Sequence, residues 1–252
     1  MRIVFVAFCV FLCVGCQSLQ DNTPECQSVQ DRLNGCVERF VDYDSYTELL
    51  EIYYKDGKKY KEIKVFKGGA RYETPYKNGK IEGIKRSYYE TGVLSSEEPY
   101  TGDLLHGVAK HYYRSGRLKT EIPYDMGSKE GLLTEYYMNG RIQDIVLFKN
   151  DKMEGLRKAY YENGNRWFEV LYDNGKEKED KTYYETSGKL ESKWVVDENG
   201  VGVRHYYYEN GAPLATFVYH NCVVQRQCAN GKILTNDIQK IKYIIEACES
   251  NR

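Results

Sequence analysis

The sequence predicts an all-β protein, an elongated antiparallel sheet of about eight tandem β-hairpin repeats of about 24 residues, with a short C-terminal α-helix as a cap. Tyr-Tyr pairs followed by a glycine turn recur along the chain, and successive turn glycines from Gly92 to Gly211 lie 24, 24, 24, 24 and 23 residues apart. Asn-Gly and Asp-Gly turns lie between them, and these dipeptides favour tight hairpins. The segments between turns alternate in polarity with a period of two, which is typical of strands.

The composition excludes several classes of protein. The 252 residues include 36 Lys and Arg against 37 Asp and Glu, so the net charge is −1, whereas a general nucleic-acid binder needs a basic excess to displace counterions from phosphates. We therefore expect no nucleic-acid partner. With 25 tyrosines and a mean hydropathy of −0.67, the chain is too aromatic for a disordered protein and too polar for a membrane bundle.

The first fifteen residues have the organisation of an export signal. An apolar run from Ile3 to Val14 follows Met1 and Arg2. Its twelve residues cannot cross a hydrocarbon core as a helix, which needs about 20. They match the apolar region of a secretory signal whose positive end is Arg2. We assign residues 1–15 to a signal peptide and exclude them from the fold.

The end of this segment resembles the bacterial lipobox. Val14-Gly15-Cys16 places a small residue directly before a cysteine, with Cys13 at the position that usually holds leucine. The resemblance implies an acylated N-terminus at Cys16, and several acyl chains hold a protein on a bilayer stably. Ordinary cleavage after a small residue is the alternative.

Lipidation at Cys16 determines the predicted location. Residues 16–34 become a lipidated tether and an N-terminal cap. By the same resemblance, the absence of Asp after Cys16 favours the outer membrane of a diderm cell, with the body in the periplasm or on the cell surface.

The remaining cysteines predict disulfides, because an exported protein meets an oxidising compartment. Five cysteines follow Cys16, namely Cys26, Cys36, Cys222, Cys228 and Cys248. We favour a bond between Cys26 and Cys36 and one bond among the other three. His220 lies near Cys222 and Cys228, but this spacing lacks the Cys-x-x-Cys knuckle of zinc sites, so we predict no metal site and no cofactor.

Residues 35–222 form the predicted repeats. Between turns, every second residue is the more apolar, as in Ile122, Val146 and Phe148. This alternation predicts that one face of the sheet is more apolar than the other. Sixteen strands about 4.8 Å apart give a ribbon about 75 Å long. Such a ribbon has contacts only between neighbouring units, and its ends need caps.

The repeated motifs resemble the variant MORN repeat, whose pattern is Tyr-Tyr-x-x-Gly-x-Leu and Tyr-x-Asn-Gly-Lys-x-x-Gly. Tyr76–Gly83 with Tyr88–Leu94, and Phe148–Gly155 with Tyr160–Gly164, are clear examples, whereas Glu179 replaces the patterned glycine. The resemblance covers about three quarters of the chain. It implies an elongated antiparallel sheet that serves as a scaffold for proteins or lipids. Bacterial members are often described as antitoxins of toxin–antitoxin pairs.

The tyrosine pairs provide the candidate binding surface. Adjacent tyrosines on a strand point to opposite faces, and a row of rings on a wet sheet offers flat apolar contact together with hydroxyl hydrogen bonds. The candidate residues are the second tyrosines of the pairs: Tyr89, Tyr113, Tyr137, Tyr161, Tyr184 and Tyr208. Packing between repeats is the alternative role for each of them.

Charged residues also recur at matched repeat positions. Glu97, Glu121 and Glu169 occupy one position, and Arg86, Lys110 and Lys158 occupy another. They could pair across strands or form a charged track for a ligand, and we favour cross-strand pairing.

Residues 223–252 are assigned to a C-terminal cap. Ile238, Ile241, Ile245 and Cys248 share one side of a helix, and Thr235, Asn236 or Asp237 can serve as its N-cap. This short helix would cover the last strand, whose open edge would otherwise recruit other chains.

No arrangement of residues predicts catalysis. The histidines His106, His111, His205 and His220 are scattered, and the glycines are explained by turns. We therefore expect a membrane-anchored, non-enzymatic scaffold that binds protein, glycan or lipid headgroups. The alternative is a toxin–antitoxin or polymorphic-toxin immunity protein that neutralises its partner by direct binding.

Overall fold

The computed structural model describes residues 23–41, 47–196, 201–220, 223–228 and 233–236. The predicted signal peptide, Cys16, Cys222, Cys248 and the predicted helix from Ile238 to Cys248 lie outside these residues. Within the described ranges there is one short helix and 21 strands.

The helix α1 spans Val29–Asn34. The strands are β1 Cys36–Val41, β2 Thr47–Lys55, β3 Lys58–Phe66, β4 Arg71–Lys77, β5 Lys80–Ile81, β6 Gly83–Tyr88, β7 Leu94–Thr101, β8 Leu104–Leu105, β9 Gly107–Tyr112, β10 Leu118–Asp125, β11 Ser128–Lys129, β12 Gly131–Tyr136, β13 Ile142–Lys149, β14 Lys152–Tyr160, β15 Arg166–Asp173, β16 Lys176–Tyr183, β17 Leu190–Val196, β18 Gly202–Tyr207, β19 Pro213–His220, β20 Val223–Cys228 and β21 Ile233–Asn236.

Successive strands pair antiparallel in chain order, so the described chain forms one open meander. Pairing runs from β1 with β2 to β20 with β21. This confirms the prediction of a nearly all-β antiparallel sheet built from hairpins. The sheet also continues past residue 222, because β20 and β21 occupy positions that the sequence assigned to the C-terminal cap. Thr235 and Asn236, proposed as N-cap residues, lie on β21.

Prolines explain three interruptions in the meander. Pro75, Pro99 and Pro123 lie on β4, β7 and β10, and proline has no N–H to donate to a neighbouring strand. The facing strand is divided there into two pieces, which are β5 and β6, β8 and β9, and β11 and β12. At the equivalent position of the following repeat, Leu147 has an N–H, and the facing strand β14 is continuous.

The tight turns that join successive strands require positive φ. Asn78 and Gly79 have φ of 54° and 81°, and Asn174 and Gly175 have 51° and 77°, the combination that two-residue hairpin loops need. Asparagine and glycine tolerate this conformation best, which is why these dipeptides recur at the turns.

The N-terminal segment covers the edge of β1. The backbone N–H of Val37 donates to the carbonyl oxygen of Pro24 at 2.9 Å, and that of Cys26 donates to the carbonyl oxygen of Val37 at 3.0 Å. A disulfide joins Cys26 and Cys36, the pair that the sequence favours, with their Cα atoms 5.1 Å apart. The outward N–H and C=O groups of Val37 on this edge are therefore already paired.

The sheet has two faces, named here from positions on β7. The front face carries Glu97 and Pro99, and the back face carries Ser96 and Glu98, because side chains alternate along a strand. The apolar positions predicted from the alternation fall on the back face, where Val146, Phe148 and Val170 are buried.

Candidate binding surfaces

A continuous row of cross-strand partners runs across the front face from β1 to β18. Each member is paired in register with the next. In order, the row is Arg39, Glu51, Ile63, Glu73, Arg86, Glu97, Lys110, Glu121, Thr134, Ile145, Lys158, Glu169, Lys181, Lys193 and His205. Acidic and basic residues alternate through much of it, so charges of opposite sign face each other.

The charged residues in this row pair with one another. Nε of Arg86 lies 3.0 Å from Oε1 of Glu97, and Nζ of Lys110 lies 3.6 Å from Oε1 of Glu121. Lys158 lies directly opposite Glu169 in the register. These contacts follow the cross-strand pairing that the sequence favoured over an open charged track.

The first tyrosine of several pairs reaches a glutamate of this row. The hydroxyl of Tyr112 donates to Glu97 at 3.1 Å, that of Tyr136 to Glu121 at 2.9 Å, and that of Tyr183 to Glu169 at 2.7 Å. Burial, together with the hydrogen bond to the carboxylate, raises the pKa of each of these three phenols.

The ladder of tyrosines and glutamates is interrupted at Tyr160. Tyr160 has no hydroxyl partner among the described residues, because Ile145 stands where its neighbours have glutamate. Tyr160 is therefore a natural reference for a tyrosine of the same repeat position without this bond.

The second tyrosines of the pairs link neighbouring repeats. Their hydroxyls donate to a backbone carbonyl in the next repeat, as from Tyr113 to Tyr136 at 2.6 Å. The same bond is made by Tyr89, Tyr137, Tyr161 and Tyr184, at 2.6, 2.6, 3.2 and 2.7 Å. Tyr208 packs against the buried cluster of Leu214, Ala215 and Phe217. Five of the six tyrosines predicted as a binding surface thus use their hydroxyls to hold repeats together.

An exposed apolar stripe lies beside the charged row on the front face. It consists of four cross-strand pairs on eight strands: Ile84 with Pro99, Val108 with Pro123, Leu132 with Leu147, and Leu156 with Leu171. At about 4.8 Å per strand the stripe is about 35 Å long. We call these eight residues the apolar stripe.

The stripe stays open to solvent. Leu132 is 54% exposed, and the other five aliphatic members are between 39% and 46% exposed. The back face differs, because Ala109 and Val146 are 1% and 4% exposed there. A contiguous exposed apolar strip of this kind is a candidate interaction surface.

Comparison with known families identifies the repeat. Residues 81–101, 105–126 and 153–174 match the family described as MORN repeat variant. The chain carries variant MORN repeats. The matched segments include most of the apolar stripe, so the stripe is a feature of the MORN repeats themselves. A search of curated proteins finds no match.

Three solved structures are distantly similar to the chain. TarM is 14% identical with a TM-score of 0.26, over 38% of this chain and 19% of that chain. The TCP10 domain of Danio rerio CPAP, in complex with a peptide of STIL, is 12% identical with a TM-score of 0.30, over 80% and 83%. The GtfA/B complex bound to UDP and GlcNAc is 9% identical with a TM-score of 0.23, over 52% and 27%. These scores support no inference about function.

The stripe has a sequence signal that the alternation pattern did not reveal. Ile84, Val108, Leu132 and Leu156 each follow a MORN-repeat glycine, and they recur at intervals of 24 residues in four consecutive repeats. Their partners Pro99, Pro123, Leu147 and Leu171 have the same spacing. The alternation of polar and apolar residues instead singled out the neighbouring positions in each strand, whose side chains form the back face.

The other predicted residues do not converge on one site. Nδ1 of His106 lies 3.1 Å from Oδ1 of Asp125 at the surface, and Nδ1 of His205 lies 3.0 Å from Oγ1 of Thr216. Cys228 ends β20. Across the described parts of the chain, no three His, Cys, Asp or Glu side chains are grouped so that they could hold a metal ion. No helix in those parts has the length and apolar character required to cross a bilayer.

Proposed function

We propose that this protein is a lipid-anchored, non-enzymatic scaffold that binds a partner protein along the apolar stripe of its MORN repeats. The observation that carries the proposal is the exposure of six aliphatic side chains in a single line on the front face. Their regular spacing gives a long, narrow contact rather than an enclosed pocket, which suits a macromolecular partner better than a small molecule.

The energy available from the stripe fits reversible binding. Burying a fully exposed Val, Leu or Ile contributes about 1.5–3 kcal/mol, so covering the exposed half of each contributes about 1 kcal/mol. Six such side chains contribute about 6 kcal/mol before the cost of association. The stripe therefore needs further contacts to bind tightly, and the charged row beside it supplies them.

The geometry favours an amphipathic helix as the partner element. A helix repeats its apolar face about every 5.4 Å along its axis, close to the strand spacing of about 4.8 Å. Its polar flank would lie over a row that contains both Arg86 and Glu97, or both Lys158 and Glu169. A helix with charges of both signs beside its apolar face complements this surface.

Anchoring at Cys16 completes the proposal. The acylated N-terminus would hold the sheet at the membrane surface, and the Cys26–Cys36 disulfide suits an exported location. Intact-mass analysis of the native protein tests this part independently of binding. A mass that starts at Cys16 and includes acyl chains is expected, and an unmodified mature chain would contradict it.

Adjacent residues on opposite faces provide a matched test of binding. A photo-crosslinking amino acid replaces either Leu132, in the stripe, or Leu133, on the back face, in cells that produce the full chain. We expect a partner to be captured from position 132 and not from position 133. The captured protein is then purified, and its affinity for the scaffold is measured by calorimetry.

Variants then decide whether the stripe carries the affinity. Leu132→Ala combined with Leu156→Ala removes about 2 kcal/mol, so affinity should fall about thirtyfold. Leu104→Ala is the control, because Leu104 is 42% exposed but lies outside the stripe. The proposal fails if both positions capture equally, if only lipid or a second copy is captured, or if the double variant binds normally. If the captured protein is a toxin whose activity falls on binding, the same surface serves an immunity role.

A further inference from the structure

A cleft of about 540 Å³ lies on the back face, opposite the apolar stripe. The rings of Tyr72 and Tyr89 are among its lining residues, and Glu98, His111 and Lys119 supply charged or polar groups. The cleft is shallow and largely open to solvent, so it suits a ligand that keeps one side exposed.

Hydroxyl groups contribute to the lining of the cleft. Ser87, Ser96 and Thr120 are 9%, 6% and 7% exposed, and all three border it. The small side chain of Ser87 leaves space in the cleft, whereas the equivalent positions of the next two repeats hold the larger His111 and Glu135. Each hydroxyl can both donate and accept a hydrogen bond.

Two lining residues depart from the pattern of their own repeats. Glu98 occupies a position at which the next three repeats have Ile122, Val146 and Val170. Tyr72 occupies a position at which the next two repeats have Ser96 and Thr120. Departures from a locally consistent pattern are expected at functional sites, because packing alone favours the common residue.

Glu98 retains capacity to bind a ligand. Its carboxylate lies 3.6 Å from Nζ of Lys85, and it accepts hydrogen bonds at 3.4 Å from the hydroxyls of Ser96 and Tyr100. All three contacts are long for such pairs. A carboxylate has about four acceptor positions, so a ligand hydroxyl can replace or join these partners.

The aromatic rings are held in place before any ligand arrives. Tyr72 packs edge to face on Phe66 with ring centroids 5.2 Å apart, and it is 38% exposed. Tyr89 is fixed by the bond from its hydroxyl to the carbonyl oxygen of Tyr112, at 2.6 Å. Rings that are already fixed lose little entropy on binding.

We propose that this cleft binds a neutral saccharide. A sugar ring presents C–H groups to a flat aromatic surface and hydroxyls to polar groups, and Tyr72 with the hydroxyl-lined wall offers both. The carboxylate of Glu98 disfavours an anionic ligand, and the polar lining disfavours a purely apolar one. Because the cleft and the stripe lie on opposite faces, saccharide and partner protein can bind together, and either proposal can fail without the other.

Substitutions that restore the repeat pattern test the site with little risk to the fold. Tyr72→Ser and Glu98→Ile introduce the residues found at equivalent positions in the next repeat. Phe168→Ser is the matched control, since Phe168 occupies the repeat position of Tyr72 outside the cleft. The full chain, purified in detergent, is titrated with chitotriose, maltotriose and cellotriose, and with the tripeptide Gly-Lys-Gly as a competing ligand class. Saturation-transfer NMR detects binding, and calorimetry gives the affinity.

The expected result is binding of at least one trisaccharide, weakened at least tenfold by Tyr72→Ser and by Glu98→Ile and unchanged by Phe168→Ser. The proposal is overturned if no trisaccharide binds at millimolar concentration, if only the tripeptide binds, or if either cleft variant keeps the wild-type affinity. If a cleft variant loses its β-sheet circular dichroism, the wild-type chain with ¹³C-labelled tyrosine rings replaces it. The Tyr72 ring resonance, assigned with Tyr72→Phe, must then shift on titration, and an unchanged resonance overturns the proposal.

Discussion

Removing a single hydroxyl from the series of tyrosines that links the repeats should lower the free energy of unfolding measurably. Tyr113→Phe deletes the bond from the tyrosine hydroxyl to the carbonyl oxygen of Tyr136, at 2.6 Å, and changes no other atom. A hydrogen bond of this type contributes about 1 kcal/mol net. Tyr89, Tyr137, Tyr161 and Tyr184 make the same bond. The five together contribute about 5 kcal/mol, a large part of the roughly 5–15 kcal/mol typical of a folded domain.

The repeat architecture also predicts where the loss is felt. Each repeat touches only its neighbours, so Tyr113→Phe should speed amide exchange about fivefold in β9 to β13 and leave β16 to β19 unchanged. Hydrogen exchange with mass spectrometry measures this, and urea unfolding gives the change in stability. Tyr160→Phe is the control, because Tyr160 has no hydroxyl partner among the described residues. Equal effects of the two variants, or an effect spread evenly over the sheet, would refute the reasoning.

Three further predictions follow from other parts of the structure. Gly131→Ala should lower the free energy of unfolding, measured in urea, by about 2–4 kcal/mol, because φ at Gly131 is 117° and the new Cβ would lie 3.1 Å from Pro123. Gly155→Ala should lower it by only about 1–2 kcal/mol, because φ is 71° and the space around the new Cβ is open. Burial and the neighbouring glutamate raise the folded pKa of Tyr112 and Tyr136 above the ordinary value of about 10. The stability that these two tyrosines contribute should therefore be fully present below pH 10 and be lost as the pH rises further. A Tyr136→Phe variant should lose less stability between pH 9 and pH 11 than the wild-type protein, and an identical loss would argue against the Tyr136–Glu121 contact. Cys26→Ser with Cys36→Ser removes a bridge across a sequence separation of 10, which should cost about 2–3 kcal/mol and speed exchange in β1 but not in β10, and a uniform change would contradict that expectation.

The fold was predictable because local chemistry and periodicity agree. Asn78-Gly79 and Asn174-Gly175 form the tight turns that their composition indicates, and Val146 and Phe148 are buried as the alternation predicts. The end of the sheet was placed too early, at residue 222. Val223–Cys228 lacks the Tyr-Tyr pair, and the Asn230-Gly231 dipeptide that follows it, a hairpin signal, was not used; pairing with β19 shows that the segment is a strand.

The binding surfaces were less predictable because they depend on register across strands. Tyr113 and its equivalents look available in sequence, but the carbonyl that occupies each hydroxyl lies in the next repeat. The apolar stripe is assembled from residues of two strands per repeat, and its exposure follows from the absence of a second layer over the front face among the described residues. The cleft at Tyr72 and Glu98 becomes visible only when these residues are compared with their counterparts in the next repeat.

The most direct test of the central claim, that the chain forms a single open sheet with two accessible faces, is small-angle X-ray scattering of the monomer. Three of the 21 strands in the described residues are two-residue pieces, so the remaining rows, spaced about 4.8 Å apart, give a length of about 80 Å and a radius of gyration of about 25 Å. A compact protein of this size has a radius of gyration of about 18 Å. We expect a measured radius of gyration of about 25 Å, with an elongated distance distribution. A measured radius of about 18 Å, the value for a compact chain, would mean that the sheet folds back on itself and covers the front face, and the proposed docking surface would not exist.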